Sequence, residues 1–213
     1  MQEERKIYSK SHPGIALRVI PGHFVTPSSH INYYLDMSLL KARQSEAMEV
    51  AKAMAEAYVA STVVDTIVCM EGCEVIAAYL AEYLTRVGVL SMNAHKTIYI
   101  TAPEINSAGQ IIFRENLKRM IKNKHVLLLM PAATTGTTKS RALDPIVYYA
   151  GPISGISPIF RAVNKIHGIH INALFTMADI ADYKMSPPEQ CPMCKEGKPI
   201  DALANGYGYS LLQ

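Results

Sequence analysis

Apolar and polar positions recur along the chain with two alternating periods, and the switches between them mark out its elements. Residues 44 to 60 carry Ala and Met among Glu and Lys at helical spacing, which predicts an amphipathic helix. Asp65 to Met70 is a short apolar run and predicts a buried strand. Glu71 to Glu74 then reads as a turn, and Val75 to Val87 as a helix with Ile76, Tyr79, Leu80, Tyr83 and Leu84 on one side. Thr97 to Thr101 alternates as a strand does. After Pro103, the segment EINSAGQIIFREN has turn residues at Asn106 to Gly109 and then a β-rich run, so a protruding hairpin or flexible loop is expected. A helix over 115–122 leads into Val126 to Met130, five consecutive apolar residues that predict a strand buried on both faces. The helical pattern over 138–150 contains Pro145, which bends or splits a helix. Two further β-rich runs, Ile153 to Phe160 and Ile169 to Thr176, complete the expected sheet, and a loop-rich tail begins at Ala178.

Strands alternating with helices predict an α/β fold built on a mainly parallel central sheet flanked by helices. The 213 residues suffice for one substantial core, and without repeats, low-complexity tracts or a linker the expectation is a single domain, 1–213. A composition of 49% hydrophobic and 18% charged residues is that of a globular chain. The net charge of +3 is small and Lys and Arg form no stripe, which argues against nucleic acid as a partner. No apolar run is long enough to cross a bilayer, so no membrane association is expected. The first ten residues, MQEERKIYSK, place charges where a signal peptide needs apolar ones, which predicts a cytoplasmic protein.

The chemistry concentrates in HVLLLMPAATTGTTKSR, His125 to Arg141, where the apolar strand runs into a Thr/Gly loop and then a helical segment. Gly136 lets backbone approach a ligand, while Thr134, Thr135, Thr137 and Thr138 surround it with hydroxyls. The following helix opens with unpaired N–H groups and a partial positive charge, so the loop suits a phosphate. An ordinary strand-to-helix turn capped by Thr has the same pattern.

This strand and its TTGTT loop resemble the type I phosphoribosyltransferases, which transfer a 5-phosphoribosyl group from phosphoribosyl pyrophosphate to a nitrogenous base. The resemblance implies that Thr134 to Thr138 hold the 5-phosphate. In that family the strand ends in two acidic residues; here Met130 and Pro131 stand in their places. Near the amino terminus GHFVTPSSHINYYLDM, Gly22 to Met37, is similar to the segment of orotate phosphoribosyltransferases that forms a hood over the base. The match at His30, Tyr33, Tyr34 and Asp36 implies that Tyr33 and Tyr34 are walls of a base pocket, although paired tyrosines also pack into cores. DTIVCMEGCEVIAAYLAEYL matches in shape the strand, loop and helix that hold pyrophosphate, which assigns Glu71, Gly72, Cys73 and Glu74 to that loop. The implied organisation is a small amino-terminal hood over about 1–43, a core over about 44–177 and the tail over 178–213, assembled as a homodimer.

Several departures bear on activity. The cations that would pair with an orotate carboxylate are missing near Thr26 and in FTMADIADY, and the segment between Thr101 and Asn116 offers only Arg114 to pyrophosphate. Glu71 and Glu74 repel that anion unless a divalent cation lies between them, which makes Mg²⁺ the implied cofactor. Asp144, Asp179 and Asp182 are further candidate acids. Cys191 and Cys194, in CPMC, resemble half of a zinc knuckle. A four-cysteine site would need the tail to fold back onto Cys69 and Cys73; free thiols are expected instead, and no metal ligand is assigned. The expected function is phosphoribosyl transfer to a base in nucleotide metabolism, of the kind found in pyrimidine biosynthesis. The alternative is a non-catalytic binder or sensor of a nucleotide or of phosphoribosyl pyrophosphate.

Overall fold

A computed structural model of the chain describes residues 3–86, 90–106, 110–134, 146–149 and 152–212. The chain opens with β1 (Arg5–Tyr8), β2 (Ala16–Val25) and β3 (His30–Asp36), followed by helices α1 (Ser38–Ala42) and α2 (Gln44–Ala55). Next come β4 (Thr66–Cys69), α3 (Glu74–Arg86), β5 (Tyr99–Thr101), β6 (Glu104–Ile105), β7 (Ile111–Ile112) and α4 (Glu115–Lys118). The strands β8 (Val126–Ala133), β9 (Ile153–Arg161), β10 (Lys165–Ile166), β11 (Ile169–His170) and β12 (Phe175–Thr176) complete the core. The tail adds β13 (Met185–Ser186), β14 (Ala202–Ala204) and β15 (Tyr209–Leu211).

The central sheet has five strands in the order β12-β9-β8-β4-β5, and every neighbouring pair is parallel. The α/β architecture with a parallel sheet is therefore as expected. Its cause is visible in β8, whose residues are buried on both faces. Leu127 and Leu129 pack with α2 and α3 through Val50, Ile76 and Leu80, while Val126, Leu128 and Met130 pack with Phe113, Ile121 and Ile146. The alanines of α2 at 47, 51, 53 and 55 are buried and leave room for α3 to approach closely. Strand order reverses between β4 and β8, and a reversal of this kind opens a crevice at the carboxyl ends of the strands.

The second sheet is the hood, in the order β13-β3-β2-β14-β15, with β1 also paired to β2. β2 and β3 form an antiparallel hairpin whose register shifts between Pro21 and Phe24. The tail, expected to be loop-rich, gives three short strands to this sheet. The run from Ile169 to Thr176 also differs from expectation: β11 pairs with β10 in a separate hairpin, and β12 joins the central sheet as its edge. EINSAGQIIFREN does form a hairpin, β6 with β7. Of the expected helix over 138–150, residues 146–149 are described and helical. Among the described residues no helix is long and apolar enough to cross a membrane.

Candidate functional site

The crevice between β4 and β8 opens into a cavity of about 650 Å³. Met70 and Glu71 line it from the end of β4, and Pro131, Ala132 and Thr134 from the end of β8. The hood covers it with the Thr26–Ser29 turn and Tyr34, the β6–β7 hairpin adds Ile105 and Ile111, and the tail adds Asn205 and Gly206. Thr26 shapes the hood turn: its hydroxyl donates to the Ser29 carbonyl at 2.8 Å and accepts the Ser29 N–H at 3.0 Å. Most of the wall is apolar, with a few polar groups, which is the usual make-up of a small-molecule site.

Among the described lining residues the only charged side chains are Lys41 and Glu71. Lys41 is buried at 9% exposure and donates to the Glu71 carbonyl at 2.9 Å and the Gly206 carbonyl at 2.8 Å. The ammonium thus ties the β4–α3 loop to the tail and keeps one N–H for a ligand. Burial raises the Glu71 carboxyl above the usual carboxylate range, and the charge of Lys41 opposes that rise. Glu71 and Gly72 both lie in the left-handed region, at φ 50° and 82°. Only glycine adopts that conformation without strain, so the loop holds Glu71 in a costly geometry at the cavity wall. Burial, with the charges of Asp36 and Tyr209, pushes the Tyr34 hydroxyl up to about 12. Its ring, 4.8 Å from that of Tyr209 and 5.7 Å from that of Phe24, is therefore a neutral wall.

The structure gathers some of the expected site residues and separates others. Thr134 lines the cavity; Thr135, Gly136, Thr137 and Thr138 lie outside the described residues. In the expected pyrophosphate loop Glu71 lines the cavity and Gly72 is exposed. Cys73 is fully buried with its thiol pushed up by burial, and Glu74 is exposed at the first position of α3. Tyr34 lines the cavity, whereas Tyr33 packs half-buried against the core and does not. Met130 points into the core and Pro131 lines the cavity, so neither offers an acid to it. Arg114 is held away at the base of the hairpin by a bidentate pair with Glu104, Nη2 donating to Oε2 at 2.6 Å and Nε to Oε1 at 3.0 Å. Asp179 accepts from the Thr176 N–H and hydroxyl and serves as a turn cap. Cys191 and Cys194 do not approach Cys69 and Cys73; they meet His23 and His30, outside the cavity lining.

Lys41 escaped the sequence reading because a single Lys on a helix is ordinarily solvated. Its flank, SLLKA, gave the one available signal, an apolar setting for a charge.

No family model matches the chain. It is similar to the orotate phosphoribosyltransferase of Chlorobaculum parvum, with 26% identity over 108 residues, a match that spans 50% of this chain and 52% of that protein. A phosphoribosyltransferase from Corynebacterium diphtheriae superposes with a TM-score of 0.53 at 13% identity, covering 76% of this chain and 90% of that one. The chain has the type I phosphoribosyltransferase fold. The orotate phosphoribosyltransferase of Mycobacterium tuberculosis H37Rv, solved with 5-phospho-alpha-D-ribosyl 1-diphosphate, superposes with a TM-score of 0.50 at 14% identity and covers 69% of this chain and 82% of that one. On this phosphoribosyltransferase fold the donor set for Mg²⁺ among the described residues is thin. Glu71 is the one described carboxylate lining the cavity. A single carboxylate suits a Mg²⁺ held mainly by the phosphates of a ligand, not one held by the protein.

Proposed function

We propose that the switch-point cavity binds a 5-phosphoribosyl compound and that the chain transfers the 5-phosphoribosyl group of phosphoribosyl pyrophosphate to a nitrogenous base. The observation that carries this reading is the position of the cavity: it lies at the carboxyl ends of β4 and β8, where strand order reverses, and both Thr134 at the entry to TTGTT and buried Tyr34 line it. In this reading residues 134–138 hold the 5-phosphate, the 71–74 loop faces pyrophosphate, and Tyr34 walls the base. The likeness to the Chlorobaculum parvum enzyme supports it. Orotate is disfavoured as the base. The one described cation lining the cavity, Lys41, already donates to two carbonyls, so among the described residues the orotate carboxylate finds no bidentate partner.

Calorimetric titration with phosphoribosyl pyrophosphate, with and without Mg²⁺, tests the binding. Pyrophosphate release with orotate, uracil, adenine, guanine and hypoxanthine tests the turnover. Binding that is lost in Gly136→Val, with release for at least one base other than orotate, supports the proposal. Absence of binding, or unchanged affinity in Gly136→Val, overturns it. Met130 and Pro131 favour a second reading, a non-catalytic binder or sensor, because nothing there can hold the ribose hydroxyls as the charge develops. Tight binding without release for any base selects that reading.

A further inference from the structure

We propose that His23, His30, Cys191 and Cys194 form a tetrahedral zinc site that fastens the carboxy-terminal tail to the hood. The four residues come from three places. His23 lies in β2 where the register shifts, His30 opens β3, and Cys191 and Cys194 stand at the N-cap and in the body of the one-turn helix Pro192–Lys195. Their ligand atoms all lie within 4.8 Å of one another. His23 Nε2 is 3.0 Å from His30 Nδ1 and 3.6 Å from each sulfur, and Cys194 Sγ is 3.3 Å from His30 Nδ1. A tetrahedral zinc with Zn–N of ~2.0–2.1 Å and Zn–S of ~2.3 Å sets its N···N edge at roughly 3.4 Å and its S···N edges at roughly 3.6 Å. These four of the six separations lie within a few tenths of an ångström of those edges.

The surroundings of His23 fix which nitrogen is the ligand. Its Nδ1 sits 3.1 Å from the Lys198 carbonyl and 3.2 Å from that of Pro199, so Nδ1 carries the proton and donates. Nε2 is left as a bare lone pair facing the other three groups, the arrangement that second-shell carbonyls impose on metal-binding histidines. Hydrogen bonding alone leaves this cluster frustrated. One Nε2 lone pair faces an imidazole and two thiols, and it can accept one good hydrogen bond. A zinc ion satisfies all four atoms, with the two thiol protons released to solvent.

The backbone around His23 is built for this placement. The bulge between Pro21 and Phe24 re-aims the side chain, and the His23 N–H is bound by Asp201 Oδ2 at 2.7 Å. Asp201 approaches so closely that a Cβ at Gly22 would lie 2.9 Å from that oxygen. Two thiolates with two imidazoles suit zinc better than Mg²⁺ or Ca²⁺, which prefer oxygen. Among the described residues none of the four lines the cavity, so the role is structural: the site pins the tail that carries β14, β15 and Gly206.

Elemental analysis of the full chain, purified reduced, is expected to find one zinc per chain. After stripping, Co²⁺ is expected to give thiolate-to-cobalt charge transfer and the strong visible bands of a tetrahedral ion, saturating at one equivalent and erased by one equivalent of zinc. Cys194→Ser, at an exposed position, is expected to lose those bands, and Cys69→Ser to keep them. Bands unchanged in Cys194→Ser overturn the proposal. So does a wild-type spectrum without thiolate ligation, which decides the matter even where a variant fails to fold. Neither readout depends on phosphoribosyl binding.

Discussion

Glu71 sets burial against charge at the cavity wall, and the consequence is a pH dependence with a definite sign. Burial raises its carboxyl in the folded chain above the value it has unfolded. The folded state therefore holds a proton that the unfolded state has released. Stability from this source is full below the ordinary Glu value, about 4.3, and is lost as pH rises through the raised folded value. Glu71→Gln removes the effect. Thermal melts of the two proteins are expected to agree near pH 4 and to separate as pH rises, with Glu71→Gln the more stable; a constant difference would refute the perturbed carboxyl. Lys41 gives the complementary test. Lys41→Met keeps the apolar stem and leaves the carbonyls of Glu71 and Gly206 without their donor. Denaturant unfolding is expected to show a loss of ~1–3 kcal/mol, and calorimetry a weaker affinity for phosphoribosyl pyrophosphate.

At the scale of elements, the contact between the end of α2 and β9 is tightly specified. Tyr58 is buried at 2% exposure, and its hydroxyl donates to the Ile156 carbonyl at 3.2 Å. Its ring occupies the space that a side chain at Gly155 would need, since a Cβ there would stand 2.6 Å from Tyr58 Cε1 and 3.1 Å from Leu127 Cδ1. Gly155→Ala is expected to cost ~1–3 kcal/mol by overpacking, and Tyr58→Phe only ~0.5–1.5 kcal/mol through its lost hydrogen bond. Urea titrations that rank the two the other way would contradict this packing. Elements of this core were legible in the sequence because burial on both faces writes an unbroken apolar run. Val126 to Met130 is the clearest case, and α3 was readable from the helical spacing of Ile76, Leu80 and Leu84. Tyr33 and Tyr34 show the limit. Adjacent strand residues point to opposite faces, and which of the two walls the cavity is decided by hood packing, not by the pair itself.

At the scale of the whole molecule, what the sequence concealed is the return of the tail. β13, β14 and β15 are two or three residues long, too short to show a period, and they are placed by partners far away: Met185 opposite Ile31, and Ala202 beside Phe24. The histidines lie more than 160 positions from the cysteines they meet, so CPMC could announce only half of its site. Lys41 likewise is held at the cavity by two distant carbonyls, of Glu71 and of Gly206 in the tail. The tail also presses on the core loop. Asn205 Oδ1 accepts the N–H groups of Tyr207 and Gly208 and folds the turn so that Gly206 lies against Glu71; a Cβ on Gly206 would stand 1.8 Å from Glu71 Oε2. Because the obstacle is the far end of a flexible side chain, Gly206→Ala is expected to cost under ~1 kcal/mol of stability, within the range of ordinary surface substitutions. Its effect falls on binding: the displaced carboxylate has the cavity to move into, where it repels a phosphorylated ligand. Affinity for phosphoribosyl pyrophosphate without Mg²⁺ is expected to fall on the order of ten-fold, equivalent to ~1.4 kcal/mol. Glu71→Ala added to Gly206→Ala removes the displaced group and should restore affinity. A double-mutant cycle in calorimetry measures that coupling, and strictly additive effects would mean that tail and core loop do not communicate at this contact.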